Sequence, residues 1–138
     1  MAGSSKPRKR YRPQGVHLPQ GRVDRLVLPA YAALTAFQFG QASGDNYADL
    51  AAVVNIFLVL SRRDASISPA AEGAAHALLS IAERKGKAGK YGASGEELEA
   101  LRGLMKLADG GYLLRQRDRV LISAITTAAR ESGLSFTV

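Results

Sequence analysis

Cysteine and tryptophan are absent from this 138-residue chain, and histidine occurs only twice, as His17 and His76. Without cysteine there are no disulfides, thiolate nucleophiles, iron–sulfur ligands or cysteine-bearing zinc sites. Two widely spaced histidines leave most catalytic arrangements without their parts, so the chain is expected to be no enzyme and to hold no cofactor or metal. Long apolar runs are scarce as well. The most apolar stretch, Leu50 to Leu60, has 11 residues including polar Asn55, whereas a bilayer span takes about 20. A secretory signal would need an apolar core of about 7–15 residues after its basic start, but Tyr11, Pro13, Gln14, Gly15 and His17 stand there instead. These absences predict a soluble, cytoplasmic protein with no membrane partner. A chain of this length buries about two thirds of its unfolded surface, so one domain is expected, stable without staples.

The 19 basic and 12 acidic residues give a net charge of +7 that is spread unevenly. Residues 1–13 contain Lys6, Arg8, Lys9, Arg10 and Arg12 and no acid, while the other 125 residues carry 14 bases against 12 acids. The polycation is therefore the N-terminal segment, and the remainder is close to neutral. Residues 1–22 read as a flexible arm, because Pro7, Pro13 and Pro19 favour extended backbone and no hydrophobic stripe is present. Fully stretched, such an arm reaches about 70 Å. Residues 23–138 read as the folded domain.

Within that domain the apolar spacing predicts helices. The first runs over Val23–Phe39, with Ala30, Ala33, Leu34 and Phe37 on one face. Pro29 fits an initial turn, or lies inside the helix if Asp24 is the cap. The second runs over Asp45–Ser61 and has almost no polar face, which places it centrally or against a second copy of the chain. If it pairs with a copy, Asn55 sets register; a monomer is preferred over a homodimer. The third opens with Ser68 as N-cap, Pro69 and Glu72, and continues to about Lys85 with Ala71, Ala74, Ala75, Leu78, Ile81 and Ala82 inward. Ser94 and Glu97 form a capping box for the fourth, whose stripe is Leu98, Leu101, Met105, Ala108 and Tyr112. That stripe runs through Gly110-Gly111, so a break there stays open. Leu113, Leu114, Val120, Leu121, Ile125 and Ala128 form a fifth stripe ending near Ser132, with Gly133 just past it. The fold class is all-α, a compact bundle of four or five helices.

Two basic segments are candidate nucleic-acid contacts. In the arm, Lys6, Arg8, Lys9, Arg10 and Arg12 can neutralise phosphates, and Tyr11 offers a ring for base stacking. An acidic protein surface would attract the same charges. Arg84, Lys85, Lys87, Lys90 and Tyr91 surround a glycine-rich loop, Gly86–Ala93, that can touch phosphate backbone. It is not a Walker loop, since Tyr91 follows Lys90 where Ser or Thr is required. Glu96, Glu97 and Glu99 read as first-turn acids favouring a helix N-terminus. His76 lacks a motif partner, and Arg115, Arg117, Asp118 and Arg119 read as local ion pairs. No helix-turn-helix pair is evident.

The opening Lys6-Pro7-Arg8-Lys9-Arg10-Tyr11-Arg12-Pro13 and the junction Lys90-Tyr91-Gly92-Ala93-Ser94-Gly95-Glu96-Glu97-Leu98 resemble small uncharacterised proteins of proteobacterial prophages and mobile elements. The resemblance implies a bacterial or phage source and carries no activity or site residues. The resulting expectation is a non-enzymatic accessory protein whose arm holds nucleic-acid backbone while the body docks or oligomerises. The alternative is a protein–protein inhibitor or modulator of a host machine whose arm engages an acidic surface.

Overall fold

A computed structural model of the chain describes residues 20–132, and among them are five α-helices and one 3-10 turn. The helices are α1 (Gln20–Gln38), α2 (Gly44–Ser61), α3 (Ser68–Ala88), α4 (Gly95–Asp109) and α5 (Asp118–Ser132). The expectations for residues 1–19, which include the arm candidates Lys6, Arg8, Lys9, Arg10, Tyr11 and Arg12, lie outside the described residues. So does Gly133.

Consecutive helices α1 to α4 pack on one another, and α4 returns to α1, closing a four-helix bundle of alternating direction. α5 packs on α2. α2 therefore has α1, α3 and α5 around it, which explains why nearly every position in it is apolar. Leu50, Val53, Val54, Ile56, Phe57 and Leu60 are all buried. The central placement expected for this helix holds, and Asn55 is left half-buried on the strip between α3 and α5.

Several boundaries differ from the sequence reading, each for a local reason. α1 starts at Gln20, so Pro29 sits inside the helix and the arm boundary moves from residue 22 to residue 19. Interior proline removes one backbone hydrogen bond, while Val23, Leu26 and Val27, all buried, supply the apolar contact that carries the helix through it. α2 begins with Ser43 as N-cap, in a capping box with Asn46. Ser68 is not the cap of α3: its backbone is already helical, and Asp64 instead caps the Ala65–Ile67 turn by accepting from the Ser66 N–H. α3 also continues through Gly86, Lys87 and Ala88 and stops at Gly89, whose φ of 84° suits the left-handed cap. The glycine-basic loop is thus shorter than predicted.

The fourth stripe does break at Gly110-Gly111. Tyr112 N–H donates to Leu107 O at 3.0 Å and Gly111 N–H to Ala108 O at 3.0 Å, the paired bonds of a Schellman turn, with Gly111 at φ 84°. Leu113 and Leu114 consequently belong to the tightly wound connection before α5, where Leu113 is fully buried as part of the core.

Candidate nucleic-acid interface

The basic candidates of the body gather at the end of the bundle where α3 stops and α4 begins. The Ser94 hydroxyl accepts from Glu97 N–H at 3.2 Å, and Glu97 Oε1 accepts from Ser94 N–H at 2.8 Å, so the predicted capping box forms. The same carboxylate receives Arg84 in bidentate fashion, at 2.6 Å to Oε2 and 3.1 Å to Oε1, and Arg84 also donates to Gly92 O at 2.8 Å. Arg84 and the Ser94 N–H hold the Glu97 carboxyl below its ordinary range, and Glu97 raises Arg84 in turn. Arg84 thereby clamps α3 to the start of α4, and its guanidinium is occupied.

Tyr91 is likewise enclosed. Its ring stacks on Tyr47 with centroids 5.4 Å apart, meets the Phe37 ring edge-on at 6.3 Å, and has Lys85 Nζ 5.3 Å from its centroid. Tyr47 is fixed by a 3.2 Å hydrogen bond to Leu78 O, and burial followed by the neighbouring Tyr91 raises its pKa. The ring of Tyr91 is a packing element joining α1, α2 and α3, not an open platform for a base. Of the five predicted body residues, Lys87 and Lys90 alone are exposed with no bond or ion pair among the described residues.

The opposite end of the bundle is held by two tyrosine–aspartate bonds. Tyr31 on α1 donates to Asp109 Oδ1 at 2.7 Å at the end of α4, and Tyr112 donates to Asp64 Oδ2 at 2.7 Å just after α2. Since Phe37 lies against Tyr91 and Tyr31 against Asp109, α1 runs antiparallel to α4, and Gln20 begins at the end far from Lys87 and Lys90. The 17 residues from Gln20 to Phe37 correspond to about 26 Å of helix. The structure therefore does not bring the root of the arm and the lysines at the end of α3 together.

Arg62, Arg63, Arg115, Arg117 and Arg119 occupy this second end. Arg62 makes a bidentate pair with Glu131, at 2.6 and 3.2 Å, and is half exposed. The local ion pairs predicted for Arg115, Arg117 and Arg119 are not formed among the described residues: the printed partners of Arg115 are the Gly110 carbonyl at 2.6 Å and the Tyr112 ring at 5.9 Å, and Arg117 and Arg119 are exposed without a carboxylate. Arg63, not singled out by the sequence reading, is also exposed and unpaired. The adjoining Arg62-Arg63 doublet at the end of an apolar run was the available signal.

Other candidates show simpler surroundings. His76 is exposed on α3 beside a shallow depression that includes Ser80, Glu96 and Glu97. Among the described residues no cluster of histidine and acids is arranged to hold a metal ion, and no helix is long and apolar enough to cross a membrane. A groove of about 310 Å³ lies between α2 and α3, lined by Tyr47, Ala51, Val54, Asn55, Leu78 and Leu79. No protein-family description matches the chain, and no curated protein or solved structure is similar to it.

Proposed function

We propose that this chain is a non-enzymatic accessory protein, of phage or mobile-element type, that holds nucleic-acid backbone through Lys6, Arg8, Lys9, Arg10 and Arg12. The observation that carries this reading is the segregation of charge: five bases and no acid in the first 13 residues, against 14 bases and 12 acids in the remaining 125. Clustered Lys and Arg on a polyanion gain free energy by releasing condensed counterions, a gain that is independent of base sequence. The helical body serves to dock or to oligomerise. The competing reading, a modulator of a host protein whose arm engages an acidic surface, draws support from the apolar groove beside Asn55 and from Leu79, which is 60% exposed at its rim.

Competition separates the two. Binding of the full chain to a labelled duplex DNA should be displaced equally by duplexes of unrelated sequence and should be lost when all five arm bases are replaced by Ala. An arm that instead recovers one host protein from nuclease-treated extract, with no detectable binding to DNA or RNA at low salt, supports the modulator and overturns the nucleic-acid reading.

A further inference from the structure

We infer that the body carries its own phosphate-binding surface, formed by Arg63, Arg115, Arg117 and Arg119 at the end where the arm enters, and that the lysines at the end of α3 are not part of it. The inference rests on the nucleic-acid reading above and deepens it by naming where the backbone leaves the arm and meets the fold.

Three observations converge. The first is topological. α1 and α2 form an antiparallel pair joined by a short turn, so the start of α1 at Gln20 lies beside the end of α2 at Ser61. Residue 63 follows directly, and the polypeptide preceding Gln20, with its five bases, enters the body beside it.

The second concerns how the arginines are brought together. Tyr112 fastens the connection between α4 and α5 to Asp64, the residue after Arg63, through its 2.7 Å bond. The connection is wound tightly by Arg115 N–H to Gly111 O at 3.1 Å, Gln116 N–H to Leu113 O at 3.2 Å and Leu121 N–H to Arg117 O at 2.9 Å. Residues 48 or more apart in sequence are thus delivered to one end of the molecule.

The third is the state of the guanidinium groups. Arg115 is held by Gly110 O and the face of Tyr112, and its other N–H donors have no protein partner among the described residues. Arg63, Arg117 and Arg119 are exposed and have no ion pair among the described residues. The nearby carboxylates are engaged otherwise: Asp64 accepts from Ser66 and Tyr112, Asp109 accepts from Tyr31, and Glu131 is paired with Arg62. A planar, always charged guanidinium with free donors is suited to a phosphate oxygen pair, and one pre-positioned by the fold loses less freedom on binding. At the other end, Arg84 is consumed by Glu97 and Lys85 lies over Tyr91.

The test uses the full chain with Arg63→Gln, Arg117→Gln and Arg119→Gln combined, leaving Arg115 in place because it also supports the α4 terminus. Affinity for a fluorescent 20-base-pair duplex DNA, and for a duplex RNA of the same length, is measured against salt. Each lost phosphate contact removes about 0.9 from the slope of log affinity on log salt for DNA, so the triple variant should be shallower by about 2 to 3. Lys87→Gln with Lys90→Gln should leave the slope unchanged, and Lys at all three arginine positions should restore most of it, with thermal unfolding monitoring the fold throughout. Equal losses on DNA and RNA assign the surface to phosphate backbone in general; a loss on one alone assigns it to that duplex. If the triple variant keeps the full slope while the arm variant loses affinity, the body surface is refuted and the arm reading stands. If the unmodified chain binds neither duplex, both are refuted.

Discussion

The phenol of Tyr112 donates a 2.7 Å hydrogen bond to Asp64 across 48 positions of sequence, and its ring lies 5.7 Å from that of buried Phe57. This one side chain ties the connection before α5 to the end of α2 and places Arg115 beside Arg63. Burial first, and then the bond to Asp64, push the Tyr112 pKa up from 10.0 to about 12. Burial and the bond to Asp109 do the same for Tyr31, also to about 12. A raised tyrosine pKa stabilises the fold fully below the ordinary value of 10.0 and loses that contribution as pH rises towards about 12. Replacing both tyrosines by Phe should cost about 1 kcal/mol per bond at neutral pH. The variant should also show less alkaline loss of stability than the parent. Denaturant unfolding at a series of pH values checks both; identical pH dependence in the two proteins would contradict the assignment.

The junction of α3 and α4 behaves oppositely. The Glu97 carboxyl lies below its ordinary value of 4.5, chiefly through Arg84, so its contribution is present above that value and lost as pH falls through the lower, folded one. Ser94→Ala should destabilise by about 1 kcal/mol through the lost cap, and Glu97→Ala by about 1–2 kcal/mol. In the Glu97 variant the acid limb of the stability curve should flatten. An unaltered acid limb would show that another carboxylate governs it.

Phe57 and Val54 occupy the centre of α2, 0% and 2% exposed. Truncating a buried Phe costs about 3–5 kcal/mol, and an unpaired buried charge costs more. Val54→Asp and Phe57→Asp should each abolish cooperative thermal unfolding followed by circular dichroism. Survival of both folds would mean that α2 is not the central helix.

Much of the bundle could be read from residue type and spacing. Ser94 and Glu97 announced α4, and the uninterrupted apolar run of α2 announced a helix surrounded by others. The misreadings arose where tertiary contact outweighs a local signal. Pro29 looked like a helix start, yet buried Val23, Leu26 and Val27 extend α1 upstream of it. Gly86 looked like a loop residue, but the left-handed position falls at Gly89. The candidate site was less legible. Tyr91 and Arg84 appeared available beside basic neighbours, whereas their partners, Tyr47 and Glu97, lie 44 and 13 positions away in the chain. Arg63 and Arg115 approach only through the Tyr112–Asp64 bond, which no local pattern encodes.

Because the buried core listed for α1 begins at Val23, the basic segment should add charge and no core. A chain beginning at Pro19 should keep the helical spectrum and melt within a few degrees of the full chain, since a shift of about 4–8 °C would already signify 1 kcal/mol in a domain of around 100 residues. Loss of cooperative melting would show that residues before Pro19 belong to the fold.

The central claim, that affinity for nucleic acid resides mainly in the five arm bases, is tested most directly by the salt dependence of duplex DNA binding. The full chain and a variant with Lys6, Arg8, Lys9, Arg10 and Arg12 changed to Ala are titrated between about 50 and 200 mM salt. Five phosphate contacts contribute about 4 to 5 to the slope, a several-hundredfold change in affinity over that range. The account predicts that the variant loses this much and retains only the smaller slope of the arginine end. Parallel slopes for the two proteins, or no binding by the full chain even at the lowest salt, would contradict it.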